Sequence, residues 1–148
     1  MSSIVYGGLD VHRDSIVAHL IHTGTGEIVT DQVNNDRQQF LRATRRWSKL
    51  GELRLCYEAS SAGFVVKRWL DDINIPCDVV APSLIPRAPG DHVKTDKRDA
   101  RKLAVLYRSG LLQAVRVPGL EEETVRAVLR LREHVTQDIT RSKNRTIE

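Results

Sequence analysis

No apolar stretch in this 148-residue chain approaches the roughly 20 residues that a membrane-spanning helix needs. Nor does its start read as a leader. Residues 1–6 carry no basic n-region or cleavage site and run straight into strand-like sequence, so a cytoplasmic protein is expected. Cysteine is scarce: only Cys56 and Cys77 occur, in different apolar runs, with no Cys or His nearby at zinc-ligand spacing. Two reduced core thiols are the expectation; a disulfide would require the two runs to be neighbouring strands. Internal repeats and low-complexity tracts are also missing. The length suits one domain with a proper core and is too short for two comfortable ones.

What is present is an ordinary globular balance, 41% hydrophobic and 28% charged, with a formal net charge of +4. The charge is unevenly spread. Arg87, Lys94, Lys97, Arg98, Arg101, Lys102 and Arg108 lie close together in sequence, interleaved with Asp91, Asp96 and Asp99. A second group, Arg37, Arg42, Arg45, Arg46 and Lys49, precedes Gly51. Either alone reads as a solvated face. Cations mixed with acids able to hold metal point instead to a polyanionic substrate, which Arg87, Lys94, Lys97, Arg98 and Arg101 could contact.

Hydrophobic periodicity predicts strands over residues 3–12, 15–22 and 27–33, the last two separated by Thr23-Gly24-Thr25-Gly26, which suggests an antiparallel meander. The period then changes to helical, with Asn35 or Asp36 as cap and Phe40, Leu41, Ala43, Thr44 and Trp47 recurring before Gly51. Residues 53–58 predict a fourth strand, and Phe64 to Ile73 mark a second helix with Ser60 or Ser61 as its cap. Residues 77–81 predict a fifth strand, residues 82–95 a long loop, and Thr95 caps a third helix that ends at Gly110. A last helix begins near Glu121, with Val128, Leu131, Val135 and Ile139 as its apolar stripe, and is still helical in character where the sequence stops. The order β-β-β-α-β-α-β-α predicts an α/β fold of RNase H/RuvC-like type: a five-stranded mixed sheet with helices on both faces, followed by a C-terminal helix. The expected division is residues 1–118 as a metal-binding domain and 119–148 as the start of a helical linker, possibly coiled-coil in kind, with a further domain beyond it.

That order draws attention to four acids. Asp10 ends the first strand, Glu58 ends the fourth, and Asp96 and Asp99 share a face in the first turn of the third helix. Each has an ordinary alternative: a turn residue for Asp10, a first-turn acid for Asp96, an ion-pair partner for Asp99. Together they would repel unless a cation neutralised them, and an all-oxygen donor set suits Mg²⁺ or Mn²⁺. Asp14, His12 and His92 are weaker candidates: His12 shares strand parity with Asp10 and could stand behind it, but a polar strand-end residue is the favoured reading, and Asp14 reads as a turn acid.

Gly8-Leu9-Asp10-Val11-His12, Tyr57-Glu58-Ala59-Ser60, Val80-Ala81-Pro82-Ser83-Leu84-Ile85-Pro86 and Lys94-Thr95-Asp96-Lys97-Arg98-Asp99-Ala100 resemble, in order and spacing, the N-terminal domain of IS110-type insertion-sequence transposases. The resemblance implies a catalytic and metal-binding Asp-Glu-Asp-Asp tetrad falling on Asp10, Glu58, Asp96 and Asp99. It further implies DNA strand cleavage and exchange, a structured guide RNA, donor and target DNA as partners, a homo-oligomeric enzyme of bacterial or archaeal origin, and a catalytic serine in a separate C-terminal domain. Ser60, Ser61 and Ser83 match no such position. Two rivals share the fold. A nucleotide-binding module needs a Gly- and Ser/Thr-rich turn after its first Asp, whereas His12-Arg13-Asp14-Ser15 stands here. A free-standing Holliday-junction resolvase would lack the block from Lys94 to Ala100.

Overall fold

The computed structural model describes residues 3–59, 63–86 and 96–146, the side chains of Asp96 and Thr146 excepted. Five strands, β1 (Ile4–Val11), β2 (Ser15–His22), β3 (Ile28–Asn34), β4 (Glu52–Glu58) and β5 (Cys77–Val80), form one sheet in the order β3-β2-β1-β4-β5. β1–β2 and β2–β3 pair antiparallel, while β1–β4 and β4–β5 are parallel. α1 (Arg37–Trp47) carries the chain from β3 across to β4 beside β1, and α2 (Val65–Asp71) joins β4 to β5, because a parallel return cannot be made by a tight turn. α3 (Asp96–Arg108) follows, and the chain divides into two compact units, Met1–Val115 and Arg116–Glu148, the second holding α4 (Leu120–Thr146).

Strand alternation sorts the two faces. A Cβ on Gly7 would meet Leu20 and Leu55 side chains, whereas one on Gly8 would meet the Ala100 carbonyl oxygen and Leu103 of α3. Even-numbered β1 residues therefore look toward α3 and odd-numbered ones toward the opposite layer. That layer holds α1: Asp31, in register with Ala18 and so on the odd face, accepts from Trp47 Nε1 at 2.9 Å and from Arg46 at 2.5 Å. α2 lies on the same side, since Trp69 packs against Phe40 of α1 with ring centroids 5.9 Å apart. Leu9, Leu20, Leu55, Tyr57, Phe40, Trp47 and Leu70 are fully buried between these layers. On the other face Ala100, Leu103 and Ala104 of α3 are buried, and Tyr107 packs edge-on against Tyr6 and donates to Asp78 at 2.9 Å.

Local chemistry explains most boundaries. Asp36 caps α1 by accepting from the Gln39 N–H at 2.9 Å. The expected seryl cap of α2 is corrected: the helix opens after Phe64 with no side-chain cap bond. Ser60 and Ser61 lie outside the described residues, as does Thr95. Where a loop was expected after β5, Pro82–Leu84 forms a 3-10 turn, with proline in its first turn, where a missing N–H costs nothing. Gly110 ends the α3 segment at φ 69°, a left-handed conformation that glycine adopts without strain. The cysteines are free although β4 and β5 are neighbours. Cys77 is in register with Leu55, and Cys56 with Asp78, so the thiols face opposite sides of the sheet.

Candidate metal centre

Asp10 stands near the end of β1, beside β4, whose parallel pairing with β1 runs to Leu9↔Tyr57. One step further along both strands come Asp10 and Glu58. The register Gly8↔Cys56 gives these two acids the same parity, on the face that α3 covers. Cys56 marks that face independently, since its Sγ lies 3.7 Å from the Leu103 carbonyl oxygen of α3. Asp10 is largely shielded, its side chain 18% exposed, and Glu58 is exposed.

α3 runs against β1. Gly8 sits under Ala100 and Ala104, and Tyr6 under Tyr107, so β1 approaches Asp10 as α3 is followed back to its start. The first turn of α3, which holds Asp96 and Asp99, is thus at the same end of the sheet as Asp10 and Glu58. Position 96 lies one turn before Ala100; Asp99 is partly buried. Among the described residues no group of three or more His, Cys, Asp or Glu side chains is gathered closely enough to hold a metal ion, and the Asp96 side chain is not among them.

Gly8 decides how near α3 can come. A Cβ there would stand 2.2 Å from the Ala100 carbonyl oxygen and 2.5 Å from the Ala104 nitrogen, distances that no side chain can occupy. Consecutive glycines inside a strand pattern were the available signal for such a close approach. His12 also enters the site: its Nε2 is 2.8 Å from Asp10 Oδ2. The shared strand parity had allowed that contact, but a polar strand-end residue was the favoured expectation, and the 2.8 Å contact goes beyond it.

One buried group had no warning in the sequence. His19 of β2, in register with Gly8, is 7% exposed; its Nδ1 meets Thr30 Oγ1 at 3.0 Å, while Nε2 has no hydrogen-bond partner among the described residues. Burial, and then the Arg101 charge, hold its pKa below the usual histidine value. Of the expected phosphate-binding cations, Lys97, Arg98 and Arg101 are exposed on α3, and Arg87 and Lys94 lie outside the described residues, as does His92.

A family model described as Transposase, of the IS110 type with the DEDD signature, matches residues 7–148. The chain belongs to the IS110 family of transposases. Its similarity to the transposase for insertion sequence element IS1533 of Leptospira borgpetersenii is 34% identity over 151 residues, covering 100% of this chain and 44% of that protein. A protein named as a transposase, y4qE of Sinorhizobium fredii, is 47% identical over 85 residues, 57% of this chain and 22% of its own length. The IS110-family chain thus spans less than half the length of these relatives. None of its described helices is long and apolar enough to cross a membrane.

Proposed function

We propose that this chain forms the metal-binding catalytic domain of a DNA transposase, with Asp10, Glu58, Asp96 and Asp99 as ligands for Mg²⁺ or Mn²⁺. The observation that carries the reading is the placement of Asp10 and Glu58 on one face of neighbouring strands, at the end of the sheet where α3 begins. The donor chemistry fits: the four groups are all carboxylates, hard oxygen donors without a thiolate among them. Bound there, such an ion would supply charge neutralisation at the attacking and leaving oxygens of a phosphodiester.

The chain's own residues set the remainder. Gly8 lets α3 close onto the sheet, which brings the Asp96 and Asp99 positions down to the level of the strand acids. His12 is a hydrogen-bond partner for Asp10 and can hold its carboxylate in one orientation. Exposed Lys97, Arg98 and Arg101, together with Arg87 and Lys94, contact phosphates of donor and target DNA. In the complete enzyme we expect a structured guide RNA, a homo-oligomer and a nucleophile supplied from outside these 148 residues.

Thermal melting in Mn²⁺ tests the centre. A ligand that binds only the folded state raises the melting temperature by mass action, by about 2.7 kcal/mol of stabilisation at a hundredfold excess over Kd. Asp10→Asn should shrink that shift. Equal shifts in wild type and Asp10→Asn would remove these acids as metal ligands.

A further inference from the structure

α1 has a charge pattern that neither the sheet nor the carboxylates explain. Arg37, Arg42, Arg45 and Arg46 lie within it and Lys49 in the turn that follows, and the segment from Arg37 to Lys49 contains no acid at all. Its inward side, Phe40, Ala43, Thr44 and Trp47, is buried. Arg37 is held by Asp72 at 3.0 Å and Arg46 by Asp31 at 2.5 Å. Arg42, Arg45 and Lys49 are exposed and form no ion pair among the described residues.

Gln38, Arg42, Arg45 and Lys49 are spaced four, three and four apart, which puts them on one stripe opposite the buried side. An open groove of about 320 Å³ runs along it, lined by Arg37, Gln38, Leu41, Arg42 and Arg45. Like charges one turn apart cost a helix a few tenths of a kcal/mol per pair. On α4 part of that cost is offset, Arg126 being paired with Glu122 and Arg141 with Asp138. On α1 it is left standing, and always with the same sign.

We propose that this outward stripe of α1 is a second binding surface, for the phosphodiester backbone of a duplex nucleic acid. α1 and α3 cover opposite faces of the sheet, so the stripe engages phosphates other than those at the carboxylate end. A duplex presents about one negative charge per 1.7 Å of its axis, ample to meet cations spread over roughly 10 Å of helix. Guanidinium forks and an amide side chain suit phosphate oxygens without reading bases. The inference stands apart from the metal centre, and either can fail without the other.

The test is fluorescence anisotropy of the protein with 20-base-pair DNA and RNA duplexes across a salt series. For Arg42→Gln/Arg45→Gln/Lys49→Gln the slope of log affinity against log salt should become shallower by about 2.7 for DNA, about 0.9 per lost phosphate contact. Affinity in low salt should fall on the order of tenfold or more, and the duplex that loses more identifies the natural backbone. Arg42→Gln alone should change the slope by about 0.9, and it serves if the triple variant does not fold. Unchanged affinity and slope with both duplexes would overturn the proposal. So would a loss confined to binding of a polyglutamate peptide, which would assign the stripe to an acidic protein segment. The anisotropy is read without divalent metal, so the outcome does not depend on the carboxylates and failure at the metal centre remains separately visible.

Discussion

His19 shows how a single residue can tie stability to pH. Its imidazole is enclosed between β2 and α3, with one ring nitrogen meeting Thr30 and the other without a hydrogen-bond partner among the described residues. Protonation there would place a charge in a poorly solvated site beside the Arg101 charge, so the folded protein holds the neutral ring and its pKa is lowered. The unfolded chain binds the proton more readily, and stability therefore rises with pH through the window below the ordinary value of about 6.5. This contribution is complete above that value and is lost as pH falls beneath it. Urea denaturation at pH 7.5 and 5.5 should show wild type weaker at the lower pH, with the difference reduced in His19→Gln. An equal pH difference in the two proteins would show that His19 is not the responsible group. Asp31 works in the same sense, in the more acidic window below the ordinary carboxyl range. Hydrogen bonds from Trp47 and Arg46 outweigh its burial and hold its carboxyl below the usual range, so its share of stability survives mild acid.

At the level of elements, α3 is the piece whose seating controls the candidate centre. It is fixed at one end by Tyr107, which donates to Asp78 and packs on Tyr6, and along its length by Ala100 and Ala104 lying against Gly8. Burial, and then the hydrogen bond to Asp78, push the Tyr107 phenol up, so it remains a donor throughout the physiological range. Gly8→Ala should lift α3, because backbone atoms of the helix occupy the space a methyl group needs. Overpacking of this kind costs about 1–3 kcal/mol, readable as a lower urea midpoint, and the Mn²⁺-induced rise in melting temperature should shrink with it. Unchanged values in both measurements would mean that α3 yields at no cost and does not set the height of Asp96 and Asp99. α4 is a different kind of element. Val128, Leu131, Val135 and Ile139 are all more than half or about half exposed along one side of a 27-residue helix, a stripe with the expected helical spacing.

For the whole molecule, the balance between what is here and what a transposase must do yields a prediction about activity. On the proposed reading the four acids and the cations of α3 would provide charge neutralisation and phosphate contacts, whereas joining two DNA duplexes also needs a nucleophile and surfaces that align both. Incubated with Mg²⁺ and duplex, branched or single-stranded DNA, these 148 residues should neither join nor rearrange it. Robust cleavage that disappears in Asp96→Ala would instead mark a self-sufficient nuclease of the resolvase kind.

The sequence by itself determined the order of elements and the family. Strands and helices announce themselves locally, as in the continuous apolar run of Ser15–His22 and the helical spacing of Phe40, Ala43, Thr44 and Trp47, and short blocks around Asp10, Glu58 and Asp96 are specific in spacing. Boundaries drifted where nearby chemistry is ambiguous: α2 begins after Phe64 without the seryl cap that two serines suggested. Only the tertiary structure decided matters that depend on which residues meet across the sheet. Whether Cys56 and Cys77 can bond turns on a one-residue difference in register, and strand alternation sends them to opposite faces. The approach of α3 to Gly8, the enclosure of His19 and the separation of the α1 cations from the carboxylate end are likewise long-range facts. They arise when sheet and helices pack, and no local pattern encodes a distance between residues so far apart in the chain.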